Sequence, residues 1–197
     1  MRGGAIGNTS RSEREILGSS PSPAAMKNRQ EIIPYEEVFR ELNRAEINYA
    51  VCGGAAVVMF GFARLTVDLD LVVGLERENL EKLYESLFKL GYRFSMPIKK
   101  EDFLNRENLR KLALEKNMKV VSFHNLKDPF KVIDVGVNLP MVPQILKNRK
   151  IIRVKGLSIP MISLDDLIKT KKDLARPKDL IDVENLKKIK KYEKRNS

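Results

Sequence analysis

Apolar positions along this chain change their period several times, and each change marks an element. Val38, Leu42 and Ile47 recur at helical spacing after Tyr35, and the apolar run at residues 49–52 reads as a short buried strand. Gly53-Gly54 ends that strand. Residues 55–60 form a short apolar helix stopped by Gly61, and residues 66–73 alternate as a second strand. A long amphipathic helix follows, with Leu80, Leu83, Leu87 and Leu90 on one face and Gly91 as its stop. Residues 101–116 predict a second, charged helix, and residues 118–123 and 130–137 predict two strands joined by a polar turn. Residues 147–155 read as a basic loop or edge strand. Ser163 with Asp166 makes a capping box that opens a helix running to about Leu174, and Pro177 starts a final helix that runs into the Lys-rich end.

This order predicts an α+β protein, a mixed β-sheet flanked by helices with a helical, basic C-terminal third, rather than regular βαβ winding. Three segments are expected: a disordered tail over residues 1–25, a core over 26–160, and a helical segment over 161–197 that completes the site. The tail is rich in Gly, Ser and Pro and has no sustained apolar period, so it cannot bury enough surface to offset its ordering entropy. The full 197 residues suffice for one domain.

Composition removes several classes of chemistry. One cysteine (Cys52) excludes an intramolecular disulfide, and one histidine (His124) argues against a His/Cys zinc site and thiol–histidine catalysis. No run approaches the roughly 18 uncharged apolar residues of a spanning helix, and the N-terminus lacks the apolar core of a signal peptide. A soluble, cytoplasmic protein with no membrane partner is expected. The net charge of +11 is unevenly placed: residues 141–197 carry 16 basic and 7 acidic side chains, and so hold +9 of it. A basic third on a neutral body points to a polyanionic partner, RNA foremost.

The informative stretch is residues 52–73. Asp68 and Asp70 stand at i and i+2 of the predicted strand, so both project from one face while Val67, Leu69 and Leu71 fill the other. Adjacent like charges on an apolar strand are unfavourable unless something positive neutralises them. With oxygen donors and almost no His or Cys, that partner is expected to be Mg²⁺ or Mn²⁺. Gly53-Gly54, between a strand and a helix, lets backbone approach a ligand closely and aims free amides at it, as a phosphate site requires. On the helix opened by Ser163, Lys171 falls inside the apolar stripe of Leu164, Leu167 and Leu174, and a lysine facing inward needs an anionic partner.

Together these residues resemble the DNA polymerase β-like nucleotidyltransferase superfamily, whose signature is an apolar residue, GG or GS, a spacer, and Asp-apolar-Asp. Here thirteen residues separate Gly54 from Asp68-Leu69-Asp70, at the long end of that spacing. Asp134, in Val132-Ile133-Asp134-Val135-Gly136, matches the superfamily's third carboxylate. The string G-F-A-R-L-T-V-D-L-D, with Arg64 and Thr66, and the later Lys171, Arg176-Pro177-Lys178-Asp179 and Asp182 look like the toxin-type and abortive-infection branch.

The resemblance implies a nucleotidyltransferase fold and an enzyme that moves a nucleoside monophosphate from a nucleoside triphosphate to an acceptor hydroxyl. Asp68, Asp70 and Asp134 would be its metal-binding catalytic carboxylates. Gly53, Gly54, Arg64, Thr66, Lys171 and Asp182 would bind the nucleotide. The implied acceptor is RNA, such as a tRNA end, and a cognate antitoxin is the implied protein partner. A protein or aminoglycoside hydroxyl is the alternative acceptor, and a non-catalytic nucleotide- or RNA-binding module is the alternative of another class.

Overall fold

The computed structural model describes residues 34–115, 118–137 and 141–196. Helix α1 (Glu36–Arg44) buries Val38, Phe39 and Leu42 and precedes a fully buried strand, β1 (Tyr49–Val51). β1 runs directly into α2 (Gly53–Met59), and β2 (Leu69–Val73) returns antiparallel to β1. Helix α3 (Arg77–Lys89) buries the predicted leucines Leu80, Leu83 and Leu87, and Gly91, at φ 86°, supplies the left-handed turn after it. Next come β3 (Tyr92–Phe94), α4 (Lys100–Phe103), α5 (Arg106–Glu115), β4 (Val120–Asn125) and β5 (Val132–Gly136). The chain continues through α6 (Val142–Asn148), β6 (Lys150–Val154), β7 (Leu157–Met161), α7 (Leu164–Leu174) and α8 (Pro177–Asn196).

The seven strands form one mixed sheet in the order β3-β4-β5-β2-β1-β7-β6, so the fold is α+β as expected. β2 runs parallel to β5 and β1 parallel to β7, while the remaining neighbours are antiparallel. The β2–β5 register places Leu69 opposite Ile133, Asp70 opposite Asp134 and Leu71 opposite Val135. Because side chains alternate across a strand, Leu69, Leu71, Ile133 and Val135 go into the core while Asp70 and Asp134 share the other face. A cluster of Tyr84, Phe94, Phe103 and Phe123 packs the β3–β4 side of the sheet at ring separations of 4.7–5.6 Å.

Several expectations shift on contact with the structure. The second strand starts at Leu69 rather than Thr66, so Thr66, Val67 and Asp68 lie outside it and Val67 is 50% exposed instead of filling the core face. The physical reason is Tyr35: its hydroxyl takes the Val67 carbonyl at 2.7 Å and lies 3.0 Å from the Val132 carbonyl, so the β2–β5 ladder stops there. Helix α2 includes both glycines rather than beginning at residue 55. The predicted helix over 101–116 is split at Asn105, whose side chain accepts from the Glu107 and Asn108 amides and caps α5 afresh.

The basic stretch at 147–155 resolves into the end of α6 and the edge strand β6. Strands β3 and β7 and helix α6 carried no sequence signal: β3 has three residues, and Pro160 interrupts the reading of β7. The capping box holds, with the Asp166 amide donating to Ser163 Oγ at 3.1 Å, and Pro177 opens α8. The expected tail at residues 1–25 lies outside the described residues.

Candidate active site

Strand pairing lines up three polar side chains across the middle of the sheet, with Cys52 next in the row. Ser122 on β4 stands opposite Asp134 on β5, Asp134 opposite Asp70 on β2, and the Cys52 amide, just beyond β1, donates to the Asp70 carbonyl at 2.9 Å. Asp68 sits at the bend before β2, exposed, on the approach to this row.

The glycine pair belongs to the same assembly. Gly53 has a left-handed φ of 59°, and a Cβ there would overlap the Asp70 carboxylate. A Cβ on Gly54 would lie 2.5 Å from Thr66 Oγ1 and 3.5 Å from Arg64 Nη2. The Gly54 amide donates to Asp70 Oδ2 at 3.1 Å. The GG motif is therefore what allows the start of α2 to close onto Asp70, Thr66 and Arg64 together.

Behind this layer lies a chain of ion pairs. Lys171 on α7, 3% exposed, contacts Asp182 Oδ2 at 2.7 Å and Asp179 Oδ1 at 3.2 Å, both on α8 and both buried. Asp182 also accepts from Arg64 Nη1 at 2.5 Å, and Asp179 from Arg176 Nε at 2.5 Å. Two carboxylates thus satisfy three cations, tie α7 to α8, and fasten the loop carrying Arg64 and Thr66 to α8.

Electrostatics sharpen the picture. Burial pushes the Asp70 carboxyl above its ordinary value; the Gly54 amide opposes that shift, and the neighbouring charges of Asp134 and Asp68 add to it. The Cys52 thiol is likewise held well above its usual range by burial and by Asp70 and Asp134, so it stays protonated. Burial works upward on Asp179 too, but hydrogen bonds from Arg176 and Lys171 outweigh it and hold that carboxyl below 3.8. One oxygen stands apart: Asp134 Oδ1 is buried without a hydrogen-bond partner. A buried carboxylate oxygen left unsatisfied is costly.

These residues fit a hard divalent cation. Mg²⁺ is commonly held by one or two carboxylates together with substrate phosphates. Asp70 and Asp134 supply an adjacent oxygen-only pair with an open acceptor. Among the described residues, no three His, Cys, Asp or Glu side chains converge closely enough to form a complete protein cage.

The chain is similar in fold to the lincosamide antibiotic adenylyltransferase LnuA in its lincomycin-bound structure, with a TM-score of 0.50 and 16% identity over 77% of this chain and 93% of that one. The chain has a nucleotidyltransferase fold. Weaker likenesses are to ANT(2")-Ia in complex with adenylyl-2"-tobramycin (TM-score 0.47, 11% identity, 82% and 95% covered) and to an antigenic nucleotidyltransferase-like protein from Paracoccidioides brasiliensis (0.49, 16%, 76% and 71%). No family model and no curated protein matches the sequence.

Within this nucleotidyltransferase fold, Asp70, Asp134, Gly53, Gly54, Thr66, Arg64, Lys171 and Asp182 form one contiguous group, and Asp68 stands at its edge. Sequence reasoning missed two members. Tyr35, whose hydroxyl spans Val67 and Val132, is marked by no motif. Cys52, placed by its apolar neighbours at the end of a buried strand, lies within electrostatic reach of Asp70, Asp134 and Lys171. His124 pairs with Arg93 and Val132 within β4, and its Nδ1 lies 3.4 Å from Ser95 Oγ. A cavity of about 470 Å³ lies at the opposite end of β1 and β2, lined by Asn48, Gly74 and Arg149 among others. Among the described residues, no helix is long and apolar enough to cross a membrane.

Proposed function

We propose that this protein is a Mg²⁺- or Mn²⁺-dependent nucleotidyltransferase that moves a nucleoside monophosphate from a nucleoside triphosphate to an acceptor hydroxyl, with RNA, such as a tRNA end, as the acceptor. The observation that carries the reading is the Asp70–Asp134 pair with its unpartnered Asp134 oxygen, set against the glycine turn at the start of α2. In the reaction the acceptor hydroxyl gives its proton to solvent as its oxygen forms a bond to the α-phosphorus, the bond to the bridging oxygen breaks, and pyrophosphate leaves with that electron pair. Asp70 and Asp134 would hold the cation, with Asp68, at the bend before β2, as the third candidate carboxylate. The ion, when bound, would supply Lewis-acid polarisation of the phosphoryl group and stabilise the acceptor oxygen as it loses its proton.

The other residues act by placement. Gly53 and Gly54 keep the backbone low enough for a triphosphate to lie against it. Arg64, with Nη2 beside Gly54 and Nη1 on Asp182, offers charge to the leaving phosphates. Lys171 and Asp182 hold Arg64 and the Thr66 loop in that position. The basic C-terminal third favours a polyanionic acceptor: Lys187, Lys188 and Lys191 on α8 are exposed, while Lys190 is paired with Asp165. The toxin-like motif adds a cognate antitoxin as the proposed protein partner.

The test is incubation with α-labelled ATP, GTP, CTP and UTP, Mg²⁺, and in turn total tRNA, an aminoglycoside or lincosamide, and a protein extract. Label on RNA is the expected result. Label only on the antibiotic or only on protein transfers the reading to that acceptor, and label on none of them contradicts it.

A further inference from the structure

The two strands bearing the carboxylates are parallel and in register from Leu69 and Ile133 onward, and upstream of that point they are not paired. The gap is spanned by one side chain. Tyr35 Oη donates to the Val67 carbonyl at 2.7 Å, lies 3.0 Å from the Val132 carbonyl, and accepts from the Val132 amide at 3.2 Å. Val67 immediately precedes Asp68, and Val132 is two residues before Asp134. A single hydroxyl therefore replaces the next rung of the ladder and sets how far apart the chain enters the two carboxylate strands.

Its own backbone is held at a cost. Tyr35 has φ 60°, a left-handed conformation that a bulky residue rarely adopts, and it is 9% exposed. Such a conformation persists only where the surroundings over-determine it, and here its contacts converge on the entrance to the carboxylate pair. Asp68 follows Val67 directly in the chain, so the bend that carries it begins at the carbonyl the hydroxyl holds.

We infer that Tyr35 is a positioning residue for the metal site: by bridging the Val67 carbonyl and the Val132 backbone, its hydroxyl fixes the chain that leads into Asp68 and Asp70 on one side and Asp134 on the other. This rests on the metal-dependent reading above. Without the hydroxyl, the Val67 carbonyl and the Val132 amide are free to move, and the Asp68 approach loses its fixed width. Outer partners of this kind typically contribute 10- to 100-fold to metal affinity when removed.

The experiment is Mn²⁺ binding by calorimetry and electron paramagnetic resonance, without nucleotide, on the full chain and on Tyr35→Phe, Asp70→Asn and the exposed control Tyr192→Phe. The expected result is that wild type and Tyr192→Phe bind alike, Asp70→Asn does not bind, and Tyr35→Phe binds roughly tenfold more weakly with its fold retained by circular dichroism. Equal affinity of Tyr35→Phe and wild type overturns the Tyr35 role and leaves the metal reading standing. Absence of binding by wild type overturns both. Should Tyr35→Phe fail to fold, hydrogen exchange of the Val132 amide in wild type decides: the role requires that Mn²⁺ slow it while the Leu157 amide is unaffected, and an unchanged Val132 rate overturns it.

Discussion

Asp70 and Asp134 are register partners on adjacent parallel strands, so two carboxylates project side by side from the middle of the sheet. Only one of them is internally satisfied: Asp70 accepts from the Gly54 amide, whereas Asp134 Oδ1 accepts from nothing. Burial and like charge both work against ionising Asp70 in the metal-free protein, and a bound cation reverses both effects.

Asp70→Asn is therefore expected to abolish transfer while leaving the metal-free fold as stable as wild type or more so at neutral pH. The sign follows from linkage. A carboxyl whose folded pKa is raised binds more protons folded than unfolded, so its deprotonation erodes stability as pH rises from 3.8 through the folded value. Melting in EDTA between pH 4 and 8 checks this: the wild-type curve should fall relative to Asp70→Asn as pH rises, and Mg²⁺ should restore it.

Gly53→Ala should be damaging for a reason specific to this site. The added Cβ meets the Asp70 carboxylate in a backbone conformation with φ 59°. A cost of about 1–3 kcal/mol is expected from the strained conformation alone. Thermal melting together with Mn²⁺ titration reads the two effects, and the variant should lose metal affinity along with stability.

The ion-pair chain makes a different prediction. Removing Lys171 or Asp179 leaves a buried charge uncompensated, at about 3–5 kcal/mol. Lys171→Ala should also slow transfer to every acceptor, because the Arg64 loop is fastened through Asp182. Asp179 has a depressed pKa, so its contribution is present above 3.8 and is lost as pH falls through the folded value. The melting-temperature gap between wild type and Asp179→Asn should accordingly close in acid.

Much of this arrangement is legible in the sequence because it rests on local rules. The Ser163–Asp166 cap, Pro177 at the start of α8, Gly91 after α3 and the inward Lys171 all follow from spacing within one element. What escaped is set by contacts between distant residues. Tyr35 reaches 32 positions to Val67 and 97 to Val132, and in doing so delays β2 to Leu69 and leaves Asp68 at a bend. The partners of Lys171 are two further cases: the motif marks Asp179 and Asp182, but only the packing of α7 on α8 shows that they meet its amine.

The exposed lysines of α8 separate acceptor binding from chemistry. Neutral substitutions at Lys187, Lys188 and Lys191 should weaken RNA binding and reduce the slope of log affinity against log salt by roughly 0.7 to 0.9 per lost phosphate contact. Nucleotide binding should not change. Filter binding at several salt concentrations measures both, and RNA affinity indifferent to salt and to these substitutions would remove the electrostatic case for a nucleic-acid acceptor.

The most direct measurement follows two labels through one turnover. The protein is incubated with Mg²⁺, total tRNA and nucleoside triphosphate labelled at either the α- or the γ-phosphorus, beside Asp70→Asn as the inactive control. Nucleotidyl transfer predicts α-label on the acceptor, γ-label in pyrophosphate in equal amount, and neither product from the variant. Label from the γ-position on the acceptor, or release of inorganic phosphate with no labelled acceptor, would contradict the account.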